Sequence, residues 1–147
     1  MHMYRTLKLE AKGAVATVIL NRPEARNAMS AALMREMIAC AGRVAALRAV
    51  DVAIVSGGGK WFSAGADLND ASRWGNAARP LEEQREIAAL GYRMARAWEE
   101  VPQVTIAAIE GYAIGGGLAL AAAFDWRVIA SDAFVSLPEI ALGIPLT

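Results

Sequence analysis

The chain of 147 residues lacks the features of several common protein classes. Cys40 is its only cysteine, so the chain cannot hold an internal disulfide framework, and a reducing compartment suits it. Its only histidine is His2, and no group of Cys and His residues has the spacing of a metal site. We therefore expect no bound metal.

Charge and hydrophobic runs argue against two further classes. The 15 basic and 15 acidic residues cancel and form no basic stripe, so nucleic acid is not an expected partner. The longest apolar stretch, at 115–124, is too short and glycine-rich to span a membrane, which takes about 20 apolar residues. No signal peptide precedes the first strand pattern, which favours a cytoplasmic location. The hydrophobic fraction of 56% predicts a helix-rich core, or apolar surface covered by another subunit or by further sequence.

Hydrophobic periodicity predicts alternating strands and helices, which favours an α/β fold with parallel strands. Strands are predicted at 4–10, 14–20, 52–56, 104–109, 127–130 and 134–137, with a strand end at 61–63. Helices are predicted at 30–47, 80–100 and 118–124. The apolar stripe of the first is Leu33, Met37, Cys40, Val44 and Leu47, and that of the second is Ile87, Leu90, Met94 and Trp98. Residues 69–79 show no period and are predicted to form a loop.

Two glycine-rich turns follow one pattern: a buried strand, small residues, then a helix or loop. They are Phe62-Ser-Ala-Gly-Ala-Asp-Leu68 and Gly111-Tyr-Ala-Ile-Gly-Gly-Gly-Leu118. Small residues allow a ligand to approach the backbone, and free N–H groups at a helix N-terminus favour negative charge. Two such N–H groups aimed at one point would form an oxyanion hole, although a lone glycine triplet is more often a turn or a close helix–strand contact.

Other catalytic motifs fit poorly. Gly115-Gly-Gly117 lacks the G-x-G-x-x-G spacing of dinucleotide sites, and the glycines at 57–59 fit no phosphate-loop register. A serine nucleophile at Ser56, Ser63 or Ser136 would need a nearby base. The only histidine is His2, and a lysine base such as Lys60 has no supporting motif.

Four segments taken together are far more specific than either turn. In order they are Asn21-Arg-Pro-Glu-Ala-Arg-Asn-Ala28, Trp61-Phe-Ser-Ala-Gly-Ala-Asp-Leu68, Ile109-Glu-Gly-Tyr-Ala-Ile-Gly-Gly-Gly-Leu118, and Leu137-Pro-Glu-Ile140 with Leu142-Gly143. This series resembles the crotonase superfamily, the enoyl-CoA hydratase/isomerase family, over nearly the whole chain. The resemblance implies an α/β fold with a spiral core of ββα units, of which residues 1–147 form the N-terminal acyl-CoA-binding part.

The resemblance also implies a site for acyl-CoA thioesters. The N–H groups of Ala66 and Gly116 would polarise the thioester carbonyl as an oxyanion hole, and Glu139 would be the catalytic acid or base. Substrate contacts are implied at Ala25, Arg26, Ala28, Ala64, Ala66, Asp67, Leu68, Gly115, Gly116 and Pro138. Arg26 could favour a CoA phosphate or be only a solvated loop residue, and Asp67 is expected to be a turn or cap residue rather than a base. No separate cofactor is expected, because coenzyme A is part of the substrate.

One departure from the family pattern leaves the reaction open. Hydratases that this chain resembles carry a second glutamate three residues after the oxyanion glycine, where this chain has Ala119. Hydration suits two carboxylates, whereas a Δ3,Δ2-enoyl-CoA isomerase needs one base to move a proton between carbons. The alternatives are hydration with a weakened or different base, isomerisation by Glu139, and a paralogue that binds CoA thioesters without turnover. Glu139 could also be an exposed acid at a strand end.

Length bears on the pocket and the assembly. The resemblance implies that family members are longer than this chain, and that their C-terminal helices complete the acyl pocket and the trimer contacts. The fold is therefore expected to be incomplete at its C-terminus, and a homotrimer or dimer of trimers is expected of the full-length protein. We also expect residues 69–79 to order around the acyl chain. Tyr112 and Trp74 would line the pocket or have only core or surface roles.

Overall fold

The computed structural model describes residues 4–73 and 79–143. Its strands are β1 (Leu7–Lys12), β2 (Val15–Leu20), β3 (Val52–Ser56), β4 (Val104–Ile109), β5 (Tyr112–Ile114), β6 (Trp126–Ile129) and β7 (Phe134–Ser136). Its α-helices are α1 (Ala31–Ala45), α2 (Leu81–Ala88), α3 (Leu90–Glu99), α4 (Gly116–Ala122) and α5 (Glu139–Leu142), and a short 3-10 helix spans Pro23–Ala25. Trp74 and the middle of the loop predicted at 69–79 lie outside the described residues.

The larger sheet has the strand order β1-β2-β3-β4-β6. β1 and β2 form an antiparallel hairpin that closes where Lys12 faces Val15, and Gly13 takes a φ of 59° in the turn. β2, β3, β4 and β6 are parallel neighbours, so each pair needs a crossover. α1 lies in the first crossover, α2 and α3 in the second, and α4 in the third. The predicted α/β class with parallel strands is confirmed.

A smaller sheet holds the two glycine-rich turns together. β5 and β7 pair in parallel, with Ala113 opposite Val135. Ser63 forms an isolated parallel bridge to Ala113, so the chain before the first turn also runs beside β5. Both turns therefore leave this sheet at the same place.

The sequence prediction was wrong about the second turn in detail. It gave residues 111–117 as an irregular glycine-rich stretch and began the helix at Leu118, whereas β5 occupies the middle of that stretch and α4 begins at Gly116. The cause is Gly115, whose φ of 51° and ψ of −120° turn the chain directly from strand into helix. That conformation is open to glycine and strained for other residues.

The helix α1 supplies much of the core, as its periodicity predicts. Leu33, Met37, Cys40 and Val44 are all fully buried. Ser30 caps the helix as expected, because its Oγ accepts the Leu33 N–H at 3.1 Å. The helix ends at Ala45, slightly before the predicted end, and packs against α3 and β1.

The helix predicted at 80–100 is divided into α2 and α3. Ala89 separates the two helices, with a φ of −80° and a ψ of −6°. The predicted apolar face is nevertheless buried throughout, at Ile87, Leu90, Met94 and Trp98. Among the residues of α2 only Ile87 is buried, so little packing holds α2 in line with α3. The Trp98 ring meets Phe124 edge-on, with centroids 5.2 Å apart.

Apolar side chains remain exposed at the C-terminal end of the described chain. β6 borders the larger sheet, with β4 as its neighbour there. The exposed residues, defined here as the C-terminal apolar surface, are Trp126, Val128, Ile129, Phe134, Val135, Leu137 and Ile140. Of the described helices, none has the length and apolarity that crossing a membrane requires.

Candidate active site

The first glycine-rich turn is fixed against the segment before α1. The Met29 N–H donates to the Gly65 carbonyl at 2.7 Å, and the Asp67 N–H donates to the Met29 carbonyl at 3.3 Å. Together they form a parallel bridge between Met29 and Ala66. Gly65 has a φ of 86°, which favours glycine. The backbone is therefore held on both sides of Ala66.

The second turn is fixed between β7 and α4. The Gly115 N–H donates to the Ser136 carbonyl at 2.8 Å, and the Gly115 carbonyl accepts the Ala119 N–H at 3.0 Å. The Gly115 N–H thus forms the last hydrogen bond of the smaller sheet, and its carbonyl accepts the first hydrogen bond of α4.

The two turns lie in direct contact. A Cβ built on Gly65 would lie 2.6 Å from the Ile114 carbonyl oxygen and 3.7 Å from the Gly116 nitrogen. A Cβ built on Gly117 would lie 2.6 Å from the Ser63 Cβ. Side chains at either glycine would push the turns apart, so the small residues bring Ala66 and Gly116 into one neighbourhood.

Two backbone amides in this neighbourhood remain free. Within the described part of the chain, the N–H groups of Ala66 and Gly116 donate to no protein acceptor. The amides on either side of Ala66 are occupied, that of Gly65 by the Ser63 Oγ at 3.2 Å and that of Asp67 by Met29. Gly116 is the first residue of α4, where N–H groups have no partner within the helix. Such amides can stabilise negative charge.

Glu139 lies directly beside the second turn. A Cβ on Gly115 would stand only 2.0 Å from the Glu139 Oε1, so the carboxylate occupies the space that the glycine leaves. The Glu139 Oε2 is buried and has no hydrogen-bond partner among the described residues. A buried, unpaired oxygen is costly and marks a functional candidate. The interpretation of Glu139 as an exposed strand-end acid is wrong, because the residue is half-buried and begins α5.

The other acids near the turns are differently placed. Asp67 is 7% exposed and pairs with Arg22, at 2.9 Å between Oδ2 and Nη1. Its Oδ1 accepts the Asn69 N–H at 3.0 Å, which confirms the expected role in a turn. Glu110 is exposed, and Ala119 has an exposed methyl group at the position where the resemblance implies a second glutamate in hydratases.

The predicted substrate-binding turn at 25–28 lies beside the first glycine-rich turn. The Ala64 N–H donates to the Arg26 carbonyl at 3.0 Å. The Arg26 side chain is exposed, Ala25 is half-buried and Ala28 is buried.

Two further predicted contacts lie at the ends of the site. The Leu68 side chain is 77% exposed. Pro138 is half-buried and precedes α5 as its N-terminal cap residue. The substrate contacts at these residues and at Asp67 remain predictions.

Sequence reasoning missed Asn27 as the centre of this arrangement. Its side-chain amide donates to the Gly57 and Trp61 carbonyls, each at 3.0 Å, and its Oδ1 accepts the Arg22 N–H at 2.9 Å. Its φ is 53°, a left-handed value that asparagine tolerates better than most residues. An asparagine in a turn before a helix was the available signal, although it does not reveal which carbonyls the side chain bonds.

Two further sequence predictions concern side chains at the edge of the site. Tyr112 packs on Trp61 with ring centroids 5.9 Å apart, and the Lys60 Nζ lies 4.5 Å from the Trp61 ring. A pocket-lining role for Tyr112 stays a prediction. Ser63 is fully buried, and its hydroxyl donates to the Asn27 carbonyl at 2.8 Å rather than to a base. This geometry argues against Ser63 as a nucleophile.

Comparisons with known proteins show which family the chain matches. Residues 10–145 match the family model described as Enoyl-CoA hydratase/isomerase. The chain is 35% identical to the mitochondrial Delta(3,5)-Delta(2,4)-dienoyl-CoA isomerase of Homo sapiens, with 97% of this chain and 46% of the relative covered. It is 36% identical to the short-chain-enoyl-CoA hydratase of Clostridium acetobutylicum, with 92% and 51% covered.

Solved structures give the same result for the fold. The enoyl-CoA hydratase of Bacillus anthracis superposes with a TM-score of 0.84 at 32% identity, over 97% of this chain and 54% of that one. The predicted crotonase-type fold is therefore confirmed. The chain spans about half the length of the curated relatives it matches.

Proposed function

The chain belongs to the enoyl-CoA hydratase/isomerase family, and on that premise we propose that the full-length protein transfers a proton on an enoyl-CoA thioester. Glu139 is the acid–base residue, and the Ala66 and Gly116 amides form the oxyanion hole. The observation that carries the proposal is the buried Glu139 Oε2, which has no hydrogen-bond partner among the described residues. Its carboxylate lies against Gly115, the residue that directly precedes the Gly116 amide.

The proposed chemistry follows from charge. The thioester carbonyl oxygen accepts both amide hydrogen bonds, and these strengthen as the oxygen gains negative charge. Glu139 removes a proton from C2 of a 3-enoyl thioester, and the electrons move onto the carbonyl oxygen to give a dienolate. The same carboxyl group returns the proton at C4, which leaves the double bond conjugated with the carbonyl. Loss of one N–H donor from an oxyanion hole typically costs about 3 kcal/mol of transition-state stabilisation.

Isomerisation is the reaction that the described acids favour. It needs one base, and in this proposal that base is Glu139. Ala119 offers no carboxylate, Glu110 is exposed, and Asp67 is paired with Arg22. No cofactor is needed in this proposal, because the thioester itself stabilises the carbanion.

Hydration is the second candidate, and similarity to the Clostridium acetobutylicum short-chain-enoyl-CoA hydratase favours it. In this case Glu139 would both activate the water and protonate C2. Two carboxylates normally share that work, so we expect hydration to be the slower of the two reactions.

The test uses the full-length protein with two substrates. trans-3-Hexenoyl-CoA reports isomerisation by a gain of conjugated-thioester absorbance, and crotonyl-CoA reports hydration by its loss. We expect the 3-enoyl reaction to dominate and Glu139→Gln to lower its kcat by about 10²- to 10⁴-fold, the usual contribution of a general acid–base group. Glu110→Gln, which changes an exposed acid near the same turn, is the matched control and is expected to retain activity.

The outcomes separate the alternatives. Dominant loss of crotonyl-CoA absorbance that depends on Glu139 would establish the hydratase. An unchanged rate in a folded Glu139→Gln variant would remove Glu139 from the mechanism. Binding of acyl-CoA without turnover of either substrate would favour a paralogue that only binds CoA thioesters.

We further propose that the full-length protein assembles as a homotrimer or dimer of trimers. The family resemblance and the C-terminal apolar surface support this proposal. Light scattering on the full-length protein tests it directly, and a monomeric mass at micromolar concentration would refute it. The cytoplasmic location stays a prediction from the sequence.

A further inference from the structure

We propose that Ser63 is a positioning residue that decides which amide of the first turn is free to bind the thioester oxygen. The inference rests on the proposed function, because it assigns Ser63 a role in holding the oxyanion hole. Ser63 is fully buried, and it is not proposed to touch the substrate.

The backbone of Ser63 belongs to the smaller sheet. Its N–H donates to the Tyr112 carbonyl and its carbonyl accepts the Ile114 N–H, both at 3.0 Å. Its Cβ is so close to Gly117 that a Cβ there would lie 2.6 Å away. Ser63 is therefore fixed relative to the second turn by two hydrogen bonds and a packing contact.

The hydroxyl of Ser63 extends this fixed point to the first turn. It accepts the Gly65 N–H at 3.2 Å and donates to the Asn27 carbonyl at 2.8 Å. The hydroxyl thus connects the predicted substrate-binding turn with the first glycine-rich turn. The backbone of the same residue connects both to the second glycine-rich turn.

As a consequence, Ser63 helps to determine which of three neighbouring N–H groups stays unpaired. Ser63 occupies the Gly65 N–H and Met29 occupies the Asp67 N–H, so Ala66 alone of the three is unpaired within the described chain. Without the hydroxyl, the Gly65 N–H would lose its buried acceptor, and the peptide planes of a turn with glycine at its centre would reorient to recover one. The Ala66 N–H would then change its direction relative to the Gly116 N–H.

The expected defect concerns transition-state stabilisation rather than binding of the CoA portion. A displacement of about 1 Å at a catalytic group can cost about 100-fold in rate. We expect Ser63→Ala to lower kcat about 10- to 100-fold, with KM changed by less than about threefold. We expect Ser63→Cys, which keeps the size and a weak acceptor, to lower kcat less than Ser63→Ala.

The experiment compares Ser63→Ala with Thr105→Val in the full-length protein. Thr105 is a matched control, because its buried hydroxyl also makes one hydrogen bond as donor and one as acceptor. It donates to the Asp125 Oδ2 at 2.9 Å and accepts the Asp125 N–H at 3.0 Å. It lies at the opposite end of β4 from the glycine-rich turns. Three experiments are done on each variant: steady-state kinetics with trans-3-hexenoyl-CoA for kcat and KM, urea denaturation for stability, and the spectrum of bound 4-dimethylaminocinnamoyl-CoA. This chromophore absorbs at longer wavelength as its carbonyl is polarised.

The inference predicts that Ser63→Ala loses most of the spectral shift and of kcat, while Thr105→Val loses stability but keeps both. A folded Ser63→Ala with wild-type shift and kcat would overturn the positioning role and leave the oxyanion hole intact. If Ser63→Ala does not fold, a folded Ser63→Gly variant, which also lacks the hydroxyl, with wild-type shift and kcat would overturn it equally. A wild-type protein with neither shift nor turnover would instead refute the proposed function itself.

Discussion

At the residue scale, the site depends on glycines that make room for other groups. Gly115 combines a positive φ of 51° with a position where a Cβ would stand 2.0 Å from the Glu139 Oε1. The glycine and the acid are thus one unit, because the carboxylate occupies the volume that a side chain would take. This coupling explains why the Glu139 side chain can lie against the second turn at Gly115.

The coupling predicts a large effect of Gly115→Ala on catalysis. The methyl group must displace the Glu139 carboxylate, and the positive φ adds about 1–2 kcal/mol of backbone strain. We expect kcat to fall at least about 100-fold, because both Glu139 and the Gly116 amide move. Turnover of trans-3-hexenoyl-CoA and urea denaturation of the full-length protein measure the two effects.

Gly13 provides the control for strain alone. Its φ of 59° is also positive, but nothing lies within 4 Å of the Cβ that alanine would add. Gly13→Ala is therefore expected to lose stability of about 1–2 kcal/mol while kcat stays near the wild-type value. If both variants lose activity alike, backbone strain rather than the displaced carboxylate is responsible, and the coupling is refuted.

At the scale of helices and strands, the sequence predicted those features that depend on residues within one continuous segment. The stripe of α1 and its Ser30 cap follow from spacing and residue type within one segment, and the structure has them as predicted. β5 was missed because its three residues gain their stability from Phe134–Ser136 and Ser63, which are distant in sequence. The division of the predicted helix at Ala89 was missed because the apolar periodicity continues across it.

A second feature at this scale is the anchoring of α1 by Asp70. The Ala31 N–H, at the first residue of the helix, donates to the Asp70 Oδ2 at 2.7 Å. The Ser72 N–H and hydroxyl donate to Oδ1 at 2.9 and 2.6 Å. Burial would raise the pKa of Asp70, but these hydrogen bonds outweigh it and hold the pKa below its ordinary value. The segment after the first turn is thereby tied to the helix N-terminus.

Asp70→Asn should therefore destabilise the protein in a pH-dependent way. Because the folded-state pKa is lowered, the contribution of Asp70 is fully present above the unfolded pKa of about 4 and is lost as pH falls through the folded value. We expect a loss of about 1 kcal/mol at pH 7, typical of a helix cap, and convergence with wild type in acid. Urea denaturation across pH measures both. Asp51→Asn, at an exposed aspartate, is the control. A difference that stays constant into acid would show that the charge of Asp70 contributes nothing.

At the scale of the whole molecule, the site is assembled by topology. Met29 precedes α1, Ala66 follows β3, Gly116 follows β5 and Glu139 follows β7, and the smaller sheet brings these segments together. The sequence contains each motif, and family resemblance groups them. The mutual contacts of Gly65, Gly115 and Glu139 depend on strand pairings that no local pattern reveals, so only the structure provides them.

The C-terminal apolar surface leads to a prediction about residues 1–147 expressed as a separate polypeptide. Trp126 is 65% exposed, Val128 64% and Ile140 80%, and β6 presents its outer edge as well. Exposed apolar surface on an edge strand favours association between chains. We expect this polypeptide to self-associate at micromolar concentration and to enhance the fluorescence of an apolar dye.

Val128→Lys should reduce both, because a charge on an edge strand opposes pairing. Leu81→Lys, at an exposed leucine of α2 outside the C-terminal apolar surface, should not. A monomeric polypeptide that binds no dye, or equal effects of the two lysines in light scattering, would show that the C-terminal apolar surface does not drive association.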